Sequence, residues 1–318
     1  MSQGKRKQRK REKPQTAPFH NAPASKTQAA KRGPQKRFLL EKLLGVGGMC
    51  EVFSALDLWR VAWSDAAPRV AIKRLNPELA ENRQAQMALA QEFFTLRHLA
   101  HPGVVRVYDL HPERDGVCFS MELLEGPSLH QALAGMPAGY GKAGVTIAEK
   151  LFETLEYLHD KGVVHADVKP ANLYLAQEGR LVCIDFNISQ VTAMPGAAHA
   201  ASSRRLIADL KFHAHSLLHA SPERLKTRLP SKADDIFSAS CTAYELIAGC
   251  HPFNRLTAVE AEQNRMIPAR LDALSWSQWK ALSRGLSFAS SDRPDAGELR
   301  RAFSATSILS QLVMNLTG

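Results

Sequence analysis

The feature that most constrains this chain is a polar loop enclosed by apolar sequence. In VVHADVKPANLYL, residues 163–175, the side chains His165, Asp167, Lys169 and Asn172 crowd into one short stretch. A helically spaced segment, IAEKLFETLEYLHDKG, precedes it, and two apolar runs, NLYL and GRLVCID, follow as a short hairpin. The stretch reads as a catalytic loop, held by a helix on one side and a hairpin on the other.

The rest of the chain is ordered around that loop. FLLEKLLGVGGMCEVFSAL has two apolar runs about a glycine-rich turn and predicts a hairpin starting at Phe38. A segment with Trp59 and Trp63 follows, then PRVAIKRL, a β-like run through Lys73. Residues 77–100 have helical spacing, and GVVRVYDL and GVCFSMELLEG are strand-like. After Gly126 the pattern turns helical in SLHQALAG, ADDIFSASCTAYELIAG and SQWKALSRGL, interrupted by an irregular stretch from Phe186 to about Ala220. Strands with one main helix, then mostly helices, predict an α+β chain of two lobes. No internal repeat is visible.

Composition narrows the class. With 318 residues and 45% hydrophobic content, the chain can bury a sizeable core. No apolar run reaches the roughly 18 residues of a membrane span, and no apolar stretch follows the basic N-terminus as in a secretory signal. Cys50, Cys118, Cys183, Cys241 and Cys250 form no CxxC pair, which predicts a reducing, cytoplasmic setting. The net charge of +10 is concentrated: residues 1–37 hold 12 Lys or Arg against Glu12, and the remainder sums to −1. That arm has too few large apolar residues to offset its ordering entropy and reads as disordered. It is either a solubilising tail or a docking segment for a polyanion, whether nucleic acid, an acidic partner or an acidic membrane surface.

Several groups suit phosphoryl transfer, which needs amides near phosphates, a held cation, metal ligands and a carboxylate to orient an acceptor hydroxyl. Gly45, Gly47 and Gly48 lie at the strand-to-strand turn and let backbone amides approach anionic oxygen. Lys73 follows 26 residues after Gly47 at the end of VAIK. Glu92 falls mid-helix and is a candidate partner for Lys73. Asp167 and Asn172 flank Lys169, and Asp185 ends the run LVCID. Singly, each has an ordinary structural reading: a hairpin glycine, a solvated lysine, an exposed helical glutamate, a turn-capping aspartate. Their order and spacing together favour a shared site.

On these motifs the chain, from Phe38 to about Leu312, resembles a eukaryotic-type serine/threonine protein kinase, most similar to the bacterial branch. The resemblance implies a bilobal fold: N-lobe about 38–121, hinge about 122–126, C-lobe about 127–312, with a tail at 313–318. It implies ATP as the phosphoryl donor and Mg2+, with Mn2+ as an alternative ion. HADVKPAN resembles HRDxKxxN, making Asp167 the catalytic base, Lys169 a group near the transferred phosphate and Asn172 a metal ligand. IDFN resembles the DFG motif, with Asp185 as the chief metal ligand. GVGGMCEV and VAIK imply nucleotide contacts from Gly45, Val46, Gly47, Gly48, Val52, Ala71 and Lys73, with Glu92 behind the lysine. MELLEG resembles the hinge: Met121 as gatekeeper, with Glu122 and Leu124 meeting adenine over Tyr174. SPERL resembles the APE motif, so Glu223 should pair with Arg293, and Ser216 stands where a threonine commonly touches the catalytic loop. Asp235 resembles the helix aspartate that braces that loop. The implied partner is a protein substrate; oligomeric state is not implied.

The chain departs from the family pattern at four places. Ala166 replaces the arginine that receives an activation-loop phosphate. Asn187 replaces the DFG glycine, Cys50 the third loop glycine, and Tyr174 a usual Leu or Met, where it either crowds adenine or stacks on it. None removes a catalytic group. An enzyme active without activation-loop phosphorylation is therefore expected, although Ser189, Thr192, Ser202 and Ser203 offer acceptors and Arg204 and Arg205 lie nearby. The alternatives are a pseudokinase scaffold and a small-molecule phosphotransferase; Lys169-Pro170, SPE and Arg293 argue against the latter. His199, His213, His215 and His219 read as solvated loop histidines rather than a metal site.

Overall fold

The structure, a computed structural model, describes residues 37–113, 116–186, 190–191, 217–227 and 230–304. The arm up to residue 36, the C-terminal tail, Ser216, Asn187 and the four activation-loop hydroxyl residues lie outside the described residues.

Five strands make one antiparallel sheet: β1 (Phe38–Val46), β2 (Cys50–Asp57), β3 (Arg69–Leu75), β4 (Val107–Glu113) and β5 (Gly116–Met121), in the order β1-β2-β3-β5-β4. The central strand β3 buries Val70, Ala71, Ile72 and Lys73 in succession, because both faces are covered. In the ladder Val52 faces Lys73 and Ala71 faces Met121, which brings these four residues together on neighbouring strands. Helix α1 (Leu58–Ala62) links β2 to β3. Helix α2 (Arg83–Arg97) packs on the sheet through Ala85, Ala88, Leu89, Phe93 and Leu96, one stripe at helical spacing. It starts later than its periodicity predicts. Pro77 opens a separate short turn, and the Asn82 side chain caps α2 by accepting from the amides of Gln84 and Ala85.

Beyond Met121 the chain becomes helical, giving the α+β bilobal architecture. Gly126 ends the connection with φ of +131°, and a Cβ there would meet the Leu175 carbonyl oxygen at 2.1 Å, so glycine is required. Helices α3 (Leu129–Ala134) and α4 (Gly141–Asp160) lead into β6 (Val163–Val164), which pairs with β9 (Gln190–Val191). The hairpin β7 (Leu173–Leu175) and β8 (Leu181–Cys183) carries the end of the polar loop. Helix α5 (Pro222–Thr227) precedes α6 (Lys232–Ala248), which buries 13 of its residues and forms the centre of this lobe. Then follow α7 (Ala258–Gln263), α8 (Trp276–Gly285) and a helical run at 296–304. No helix among the described residues is long and apolar enough to cross a membrane.

His219 corrects its expectation: it is buried rather than solvated, with Nε2 at 3.0 Å from Glu245 Oε2 on α6. His199, His213 and His215 lie outside the described residues. His251 packs against His219, donates from Nε2 to the Leu218 carbonyl at 2.9 Å, and accepts at Nδ1 from the Phe253 and Arg255 amides. That pattern needs the neutral ring. Burial, then the neighbouring His219, push the His251 pKa down to about 4.

An unfolded histidine takes a proton near pH 6.5. Between about pH 6.5 and 4 the unfolded chain therefore binds the extra proton, and stability falls as pH drops through that window. His251→Gln should flatten this loss by up to about 3 kcal/mol, read from urea unfolding at stepped pH. Parallel pH profiles for the two proteins would contradict the assignment.

Candidate active site

A cleft opens between the sheet and the helical lobe. Leu44, Gly45, Val46, Gly47, Cys50, Val52 and Ala71 line its upper wall; Met121, Glu122, Leu123 and Leu124 line its back; Ala171, Asn172, Tyr174, Ile184 and Asp185 line its floor. Gly48 sits in the β1–β2 turn, outside this lining. A Cβ on Gly45 would meet nothing and one on Gly47 only the Cys50 carbonyl at 3.6 Å. These glycines thus relieve no clash within the protein; what they leave open is the cleft. Among the described residues neither the Glu122 carbonyl nor the Leu124 amide has an intramolecular hydrogen-bond partner, so both are available at the back wall. The Glu122 carboxylate is engaged by the Arg106 amide at 2.8 Å and by Arg180 at 2.9 Å. Tyr174 is half-buried, and burial pushes its phenol above the usual range.

At the inner end, the Lys73 ammonium lies 2.7 and 2.9 Å from the two Glu92 oxygens and 3.0 Å from Asp185 Oδ1. Burial opposes the charge, but the Asp185 and Glu92 carboxylates outweigh it and raise the Lys73 pKa. Glu92 also accepts the Phe186 amide at 3.0 Å. One carboxylate on α2 therefore holds both the lysine of β3 and the backbone after Asp185. Phe186 is buried against the His165 ring, with centroids 4.5 Å apart.

The polar loop is tied down from α6. The buried Asp235 accepts the His165 amide at 2.8 Å, the Ala166 amide at 2.7 Å and a bond from His159 Nε2 at 3.0 Å. These bonds hold Ala166 at φ +67°, a left-handed conformation that an L-residue adopts only when held. His165 donates from Nε2 to the Ile184 carbonyl and accepts the Asp167 amide at Nδ1, which fixes a neutral tautomer. Past this bend the Asp167 carboxylate receives the Lys169 ammonium at 2.8 and 3.0 Å and the Asn172 amide group at 2.8 Å. Lys169 and Asn172 thus converge on the Asp167 carboxylate.

Below the cleft, Arg293 forms a bidentate pair with Glu223 and donates to the carbonyls of Ala233, Ser287 and Phe288. Although burial works against it, hydrogen bonds from Arg293 hold the Glu223 carboxyl below the usual range. The apolar lining from Leu44, Leu96, Val105, Leu123, Ala171 and Ile184 escaped sequence reasoning. Four of these directly precede motif residues: Leu44 before Gly45, Leu123 before Leu124, Ala171 before Asn172 and Ile184 before Asp185. That adjacency was the usable signal.

Asp235→Asn keeps the shape but replaces one acceptor oxygen with a donor facing amides. It should cost about 2–4 kcal/mol in urea unfolding, as expected for leaving buried donors unmatched. Stability equal to wild type would contradict the bracing role.

The geometry agrees with comparisons to known proteins. The family model described as the protein kinase domain matches residues 38–306. Serine/threonine-protein kinase PkaA of Streptomyces coelicolor is 30% identical over 280 residues, covering 83% of this chain and 49% of that protein. Serine/threonine-protein kinase PrkC of Bacillus subtilis is 26% identical over 241 residues, 76% of this chain and 35% of that protein. Serine/threonine-protein kinase pkn2 of Myxococcus xanthus is 30% identical over 223 residues, 69% of this chain and 25% of that protein. The chain spans about half or less of the length of these relatives. Cleft, loop and matched segment together assign it: the chain belongs to the protein kinase family, and these relatives are bacterial serine/threonine-protein kinases.

Proposed function

We propose that this chain transfers the γ-phosphoryl group of ATP to serine or threonine hydroxyls of a protein substrate, and does so without activation-loop phosphorylation. The observation that carries the reading is the Lys73 ammonium bonded to Glu92 and Asp185 at once. With α2 and the Asp185 segment both drawn in, the lysine stands ready at the inner end of the cleft. On this reading adenine takes the back wall, against the Glu122 carbonyl and Leu124 amide, between Val52 and Ala71 above and Tyr174 below, residues that all line the cleft.

Asn172 commits its NH2 end to the Asp167 carbonyl and carboxylate, which leaves Oδ1 as its acceptor. With the Asp185 carboxylate it offers the hard oxygen donors that suit Mg2+. Bound there, the ion would neutralise charge on the transferring phosphoryl group. Asp167 orients the acceptor hydroxyl and takes its proton, while Lys169 balances charge beside it. The five cysteines, four of them buried and none in a CxxC pair, support a reducing cytoplasmic setting.

Independence from a loop phosphate follows from Ala166. An arginine there would place a cation beside the base, and a phosphate would be needed to neutralise it. Alanine removes the cation, while Asp235 holds the bend through backbone amides.

Asp167→Asn should lower kcat by about 10²–10⁴-fold and leave nucleotide affinity nearly intact. Lost ATP binding in a folded variant would instead make Asp167 structural. Replacing Ser189, Thr192, Ser202 and Ser203 together with alanine should keep activity within a few-fold of wild type. A drop of about a hundredfold or more, rescued by phosphorylating one restored residue, would show that a phosphate switch persists.

A further inference from the structure

Helix α1 exposes an apolar cluster that the catalytic reading leaves unused. Trp63 is 87% exposed, Trp59 61%, Val61 44% and Leu58 36%. Trp59 and Trp63 are four residues apart, so both rings project from one side of the turn. The cluster is also firmly built. The buried Asp57 caps α1 through the Trp59 amide at 3.0 Å and binds Arg37 with two nitrogens. The Arg37 guanidinium lies 4.7 Å over the Trp59 ring, and the Leu58 amide donates to the Arg37 carbonyl at 2.9 Å. Arg37 thus belongs to the folded body, and it marks where the basic arm joins. The 36 residues ahead of it hold 11 Lys or Arg against Glu12.

We propose that this face docks on an anionic lipid bilayer, with Trp59 and Trp63 seated at the headgroup level and the arm attracted to the surface charge. Tryptophan favours that depth, since its ring is apolar and its N–H still finds polar partners. Stable anchoring without a lipid modification needs two signals, and this junction joins an apolar one to a polybasic one. Charge decides against a second copy of the chain as occupant, because pairing α1 faces would bring two strongly positive arms together. The Arg37 guanidinium already covers one face of the Trp59 ring, which favours insertion of the rings at the headgroup level over stacking of bases on them.

The test uses the full chain and sedimenting vesicles, either phosphatidylcholine alone or with about 30 mol% phosphatidylglycerol. Binding is expected only to the anionic vesicles, weakening with salt, with tryptophan emission quenched by brominated lipid. Trp59→Ser with Trp63→Ser should lower partitioning about tenfold or more with the arm intact. Both rings are exposed, so an unchanged thermal transition checks the fold, and Trp63→Ser alone carries the test if the pair unfolds. Three results would each overturn the proposal: partitioning equal to wild type in the serine variants, unquenched emission in the bound state, or Trp-dependent binding only to single-stranded oligonucleotide or to a second copy.

Discussion

A buried ammonium between two carboxylates organises this molecule. Lys73 sits on the central strand, Glu92 on α2 and Asp185 just beyond β8, so one set of contacts ties sheet, helix and the floor of the cleft. A charge so well buried is tolerated only when paired. Losing either carboxylate would leave the ammonium under-compensated, which makes the position of α2 and the Asp185 backbone a condition for keeping it charged. The same Glu92 fixes Phe186 through its amide, and Phe186 packs on His165. The inner end of the cleft is thereby coupled to the polar loop by direct contacts rather than by proximity.

The loop has its own anchor. Asp235 on the buried helix α6 takes two successive amides and a histidine, and the backbone between them bends through a left-handed residue. This bend turns Asp167 towards Lys169 and Asn172. In family members with an arginine at the bend, loop phosphorylation and catalytic geometry are linked through that side chain. With Ala166 the bend depends on the helix aspartate, a fixed part of the core. If, as proposed, no loop phosphate is needed, control falls to where the protein sits and what it meets, a role that the α1 face and the basic arm suit.

Much of this was readable from residues in order. The β1–β2 hairpin and the polar loop follow from local pattern, because each depends on short spacing, while the Glu223–Arg293 pair followed from the family resemblance of SPERL. Other features depend on packing that spacing does not encode. The start of α2 was set by the Asn82 cap, not by apolar period. The burial of His219 came from α6 passing beneath it with Glu245. Residues around Trp59 and Trp63 gave no strand or helix signal, since their helix has no buried face. The left-handed Ala166 was invisible because alanine carries no backbone preference for that region; only Asp235, 69 residues away, imposes it.

The most direct measurement is phosphoryl transfer by protein fully dephosphorylated beforehand. Phosphatase-treated full chain, freed of phosphatase, would be mixed with labelled ATP, Mg2+ and a generic protein acceptor, and compared with Lys73→Met. The account predicts label on acceptor serine or threonine from the first turnover, without a lag, and none with the variant. No transfer by wild type, or a lag that ends only once its own loop is phosphorylated, would contradict it.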